Sequence, residues 1–174
     1  MLYLTVMLIF LCFASIAMTV NEGLWNNTIT LLNIMLAGIL GIFGGVPLGN
    51  FILTQSGKPP EFAWYFVFAG IWVIFAVSVT VMHLATSGAS RVRMRFLPVL
   101  DKVAGPLMGV LVAIMLTSFS AYTLERVPIK AGEWSFSDAS DWQKTTFKYA
   151  RSPFRGVIKS FVQGEKADNP FLGK

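Results

Sequence analysis

Residues 23–57 read GLWNNTITLLNIMLAGILGIFGGVPLGNFILTQSG, thirty-five positions without one Asp, Glu, Lys or Arg. A helix needs about 20 mostly apolar residues, at about 1.5 Å rise, to cross the hydrocarbon core of a bilayer, and soluble domains rarely tolerate such a run without a charged face. Three further stretches, residues 1–21, 62–90 and 103–124, are free of charge in the same way and equally rich in Leu, Ile, Val, Phe, Met, Ala and Gly. Each is long enough to span. The sequence therefore predicts an all-α integral membrane protein with four transmembrane helices, near residues 2–20, 28–53, 62–84 and 103–124.

Composition supports this, since 55% of the 174 residues are hydrophobic and only 13% charged, with the charges gathered in short connectors and the last fifty residues. The chain divides into a four-helix membrane domain, residues 1–124, and a polar tail, residues 125–174. The net charge of +5 comes largely from the third connector and the tail, which points to anionic headgroups; no nucleic-acid motif is present.

Within the second span, Ala37, Gly41, Gly45 and Gly49 recur every four residues and align on one ridge of a helix. Gly105, Gly109 and Ala113, continued by Thr117 and Ala121, repeat the device in the fourth. In lipid there is no hydrophobic drive for helices to associate, so close backbone approach and interhelical hydrogen bonds must supply it. Spans two and four are expected to be central. Pro47 is expected to kink or end span two, and the Lys58-Pro59-Pro60-Glu61 run to break the chain before span three.

Trp25 in the first connector and Trp64 at the start of span three are placed as interfacial anchors. Arg91, Arg93 and Arg95, interleaved with apolar residues, read as a headgroup-level segment. In the tail, Ser152-Pro153 can open a helix near residues 152–163, in which Phe154, Ile158 and Phe161 share one face. Such an amphipathic helix would lie in the membrane interface or cover the end of the bundle.

Chemistry is sparse. Cys12 is the only cysteine, so neither a disulfide nor a thiol metal site is available, and it reads as an apolar packing residue. With no basic n-region before it, the first span reads as a retained anchor. His83 is the only histidine and has no acidic partner within any span. Paired carboxylates at depth, HExxH and a phosphate loop are all missing, so no enzymatic activity, cofactor or metal is expected. Asn33, Asn50, Ser78, Thr80, Thr117, Ser118 and Ser120 remain as polar groups at depth, read as interhelical glue. Positive charge alone does not orient the chain, because basic residues flank both the third connector and the last span.

Asp101-Lys102-Val103-Ala104-Gly105 followed by Gly109 resembles the Asp-basic-x-x-Gly-x-x-x-Gly pattern of the colicin V production protein (CvpA) family of bacterial inner-membrane proteins. The Gly23-Leu24 turn and the Trp142-to-Thr145 stretch are also similar to that family, Thr145 standing where the family carries Ser. The chain departs from it in lacking an Asp early in span one and basic residues in the first connector. The resemblance implies four spans, both termini outside the cytoplasm, and a part in toxin export or envelope maintenance.

Together these features predict a non-enzymatic assembly or scaffold subunit whose partners are the lipid bilayer, a second copy of the chain, and envelope or export proteins. The alternative is a small oligomeric channel in which the glycine ridges surround a pore; a third possibility is an anchor that scaffolds an envelope protease or synthase through its tail.

Overall fold

A computed structural model describes residues 2–90, 98–126 and 140–161, and all of its regular elements are helical. Arg91, Arg93 and Arg95 lie outside the described residues. In chain order the helices are α1 (Leu2–Thr19), α2 (Leu24–Ser56), α3 (Ala63–Ser90), α4 (Pro98–Arg126), α5 (Asp141–Ala150) and α6 (Ser152–Phe161), with a 3-10 turn at Pro60–Phe62 before α3. Three stretches, Leu24–Ser56, Ala63–Thr86 and Asp101–Glu125, are long and apolar enough to cross a membrane.

The helices outrun the boundaries expected from sequence. Pro47 does not end α2, which continues to Ser56 and stops at Gly57, whose φ of 61° is left-handed. Pro47 itself is exposed, and the two prolines beyond Gly57 make the stop final. At about 1.5 Å per residue, α2 is roughly 50 Å long, well beyond the ~30 Å of a hydrocarbon core.

The four long helices form two pairs rather than a closed ring. α3 lies along α2, α1 lies along α4, and α2 and α4 join the pairs. Paired positions such as Leu24 with Asp101, Asn27 with Gly105 and Gly38 with Phe119 rise together in number, so α2 and α4 run parallel. The largest core cluster fills the junction, with Ile42, Ile71 and Phe119 almost wholly buried. A second cluster, built on Leu4, Leu8, Ala121, Leu124 and Phe147, closes the other end of the α1–α4 pair.

Outward faces stay apolar. Phe10 and Phe13 of α1 are 72% and 68% exposed, and Leu32, Leu36 and Leu40 of α2 are also open, as lipid-facing side chains should be.

The tail departs most from expectation. Within the polar tail the sequence predicts no helix before residue 152, yet Asp141–Ala150 form α5, which starts at a capping box in which Ser140 N–H donates to Gln143 Oε1 at 3.0 Å. Phe154 and Ile158, expected at the membrane interface or over the end of the bundle, are 0% exposed and packed into the junction between α2 and α4, so they are not interfacial; Phe161, at 64% exposure, faces outward. The physical reason is Gly38, where a Cβ would fall 2.6 Å from the Phe154 ring: the missing side chain leaves a notch that the ring occupies. Phe154 meets Phe119 and Tyr122 edge-on, with centroids 5.1 and 5.7 Å away.

Candidate functional site

The polar chemistry of the described residues concentrates where the α1–α2 turn meets the start of α4. Gly23 precedes α2 in an extended conformation and has no side chain to cap it. Asp101 does so from α4, its Oδ1 accepting the Leu24 N–H at 2.7 Å across 77 residues of sequence. A carboxylate here satisfies an orphan donor and faces the positive end of the α2 dipole. Gly23 is needed for the approach, since a Cβ would sit 3.3 Å from both carboxylate oxygens.

One turn further in, Asn27 is 1% exposed and ties three segments together. Its Nδ2 donates to Thr19 O at 3.0 Å, Glu22 O at 3.2 Å and Gly105 O at 2.9 Å. Three carbonyl acceptors around one amide end fix which end is the NH2 group. The single Thr19 hydroxyl proton is shared between two carbonyls, Gly109 O at 2.9 Å and Ser15 O of its own helix at 2.8 Å. The glycines permit these bonds: a Cβ at Gly105 would lie 3.0 Å from Glu22 O, and one at Gly109 would lie 2.8 Å from Thr19 O. The Asp101-to-Gly109 stretch therefore acts as one docking strip for the α1–α2 turn.

The two glycine ridges do not meet each other. Gly41, Gly45 and Gly49 press on α3, where a Cβ at Gly45 would fall 2.3 Å from Ile71 Cα and one at Gly49 would fall 2.5 Å from Val67 Cα. Gly70 of α3 completes that seam from the other side, 2.6 Å from Gly45 O by the same measure. Gly105 and Gly109 press instead on α1 and its turn. Ala37 and Ala113 are both fully buried.

Beside the turn lies an open cleft of about 320 Å³, bounded by the end of α1, one side of α2 and the end of α3. Glu22, Asn26, Thr30, His83 and Thr86 bring polar groups to it, and Met18 and Ile29 give it apolar walls. His83 thus shares a cavity with an acid that sits in a connector, not in a span. Asn33, on the same side of the bundle, donates to Thr86 Oγ1 at 3.2 Å. Of the other polar groups read as glue, Ser118 accepts the Phe154 N–H at 2.8 Å, while Thr80 and Ser120 bond to carbonyls of their own helices. Trp25 and Trp64 are half-buried in the first turns of α2 and α3.

Sequence reasoning missed Asn27, Gly38, Gly70 and the Arg151–Glu125 ion pair, 2.7 Å long, that pins the α5–α6 corner to the end of α4. For Asn27 a signal existed: the NH2 group of an amide inside an otherwise apolar segment needs acceptors, and those of its own helix are taken by the N–H groups one turn on, so it must find carbonyls elsewhere. For the ion pair none did, because the partners are separated by a long polar stretch.

Long apolar helices joined by glycine seams, with buried polar ties at one end, define a helical membrane protein. The profile of the colicin V production protein family matches residues 4–148, and the chain belongs to that family. No curated protein and no solved structure matches it.

Proposed function

We propose that the chain is a non-enzymatic assembly or scaffold subunit of the bacterial inner membrane, serving toxin export or envelope maintenance. In this reading α1 is a fourth span: its 18 residues reach about 27 Å, and Thr5, Ser15 and Thr19 all turn toward α4 or into their own helix instead of lipid. The α1–α2 turn and the 91–102 connector then share the cytoplasmic face, and both termini with the tail are external.

The observation that carries the scaffold reading is the occupancy of both glycine ridges by backbone of the same chain. Surfaces that would have to line a pore in the channel reading are already closed by α3 and by the α1–α2 turn. What remains open for partners is the outer side of the tail, where Trp142 and Tyr149 are 56% and 73% exposed one above the other on α5.

Reconstitution of the purified chain into liposomes tests this. Loaded with a fluorescent dye and with potassium, such liposomes should leak no faster than protein-free ones. Flux that appears with the protein and disappears with Gly109→Leu would overturn the scaffold reading in favour of a channel.

A further inference from the structure

We propose that the cleft between α1 and α3 holds the headgroup of an amine-bearing phospholipid, with the ammonium on the Glu22 carboxylate and the acyl chains along α2. The inference rests on the four-span reading given above, which sets the cleft at the edge of the membrane.

The cleft combines a carboxylate with an imidazole and hydroxyl groups. Glu22 is exposed, and among the described residues its Oε2 accepts one bond, from Asn26 Nδ2 at 2.9 Å, which leaves lone pairs for a cation. His83 and Thr30 line the same cleft, and an imidazole and a hydroxyl suit a phosphate oxygen. Thr86 is less suited, since its hydroxyl already donates to Met82 O at 2.7 Å and accepts from Asn33. A carboxylate together with hydrogen-bond donors in about 320 Å³ matches a zwitterion of ammonium and phosphate better than a purely anionic headgroup, which Glu22 would repel.

Its shape favours a lipid over a soluble amine. α1 and α3 do not pack along each other, and the cleft between their ends is open. Its apolar floor at Ile29 continues down α2 through Leu32, Leu36 and Leu40, at three- and four-residue spacing on one face and all exposed. Headgroup site and acyl track are therefore continuous.

Native mass spectrometry of the full chain, released from detergent with equal amounts of phosphatidylethanolamine and phosphatidylglycerol, tests the inference. Phosphatidylethanolamine should be retained about fivefold more, a preference that Glu22→Gln removes while retention of phosphatidylglycerol does not fall. His83→Leu should weaken the same adduct. Equal retention of both lipids, or a preference that survives Glu22→Gln, overturns the inference; so does soluble phosphoethanolamine binding as tightly as the lipid. Cysteines placed by Tyr3→Cys and Asn26→Cys in a Cys12→Ala background separate the two failures. Labelling from opposite sides alongside no lipid preference sinks this inference alone, whereas labelling from one side sinks the four-span reading and this inference with it.

Discussion

Gly44 and Gly45 are neighbours in sequence, yet the structure assigns them opposite responses to the same change. A methyl at Gly45 would lie 2.3 Å from Ile71 Cα, 2.5 Å from Ile71 N and 2.8 Å from Gly70 C, all backbone atoms of α3. Carbon atoms pack at about 3.5–4.0 Å, so the helices must separate by roughly 1 Å or more along the seam. Overpacking of this kind costs about 1–3 kcal/mol, and a backbone obstacle puts Gly45→Ala at the upper end. A methyl at Gly44 meets only the end of the Ile74 side chain, 3.3 Å away at Cδ1, which a rotamer change relieves. Gly44→Ala also gains up to ~1 kcal/mol of helix propensity, so its net effect should be neutral or stabilising. Thermal unfolding of the purified protein in detergent reads the difference: Gly45→Ala should lower Tm by roughly 3–10 °C and Gly44→Ala should leave it level or raise it. Equal tolerance of the two substitutions would refute the claim that α2 and α3 meet backbone to backbone at Gly45.

Three further outcomes follow from other contacts. Asp101→Ala should destabilise by about 1–2 kcal/mol by releasing the Leu24 N–H, while Asp101→Asn, which keeps an acceptor, should lose less; the same unfolding assay ranks them. Phe154→Ala empties the notch at Gly38 and should cost about 3–5 kcal/mol, exposing the 140–161 segment to protease, whereas Phe161→Ala, at an exposed site, should stay within about 0.5 kcal/mol. Gly156→Ala should raise stability by up to ~1 kcal/mol, because a Cβ there meets nothing within 4 Å inside a helix, and a fall in Tm would contradict that placement.

Length and charge patterning made the apolar helices legible, and four-residue spacing identified the ridge of α2, because both are properties of a single helix. Partner choice was not legible in the same way. Nothing in Ala37, Gly41, Gly45 and Gly49 says whether the ridge faces α3, α4 or another copy; Gly70, the residue that answers it, has no small residue three or four positions away in α3. The Asp101-to-Gly109 strip was singled out by resemblance, but its role needed the Leu24 N–H and the Thr19 carbonyl to be seen beside it. Phe154 and Ile158 read as one face of a helix that belongs either at the membrane interface or over the bundle, and only the structure shows that the bundle buries it. An apolar stripe has the same sequence signature whether lipid or protein covers it.

The burial of that stripe follows from how a parallel helix pair closes. α2 and α4 are tied at one end by Asp101 and Asn27, but further along no hydrogen bond between them is among those described, and Gly38 leaves one side of the junction without a side chain. Hydrophobic drive between helices is lost in lipid, so an unfilled notch forfeits dispersion contacts that nothing else replaces. The chain fills it with Phe154, which sits at the beginning of α6, where backbone N–H groups have no helical partner. Burying such a donor without water requires an acceptor from the protein, and Ser118 Oγ stands 2.8 Å away, one residue before the Phe119 ring that Phe154 packs against. Shape and polarity are thus met by two successive residues of α4. The Arg151–Glu125 pair then holds the α5–α6 corner at the end of the same helix, so that the tail meets α4 at two levels, once by charge at the corner and once by packing through α6.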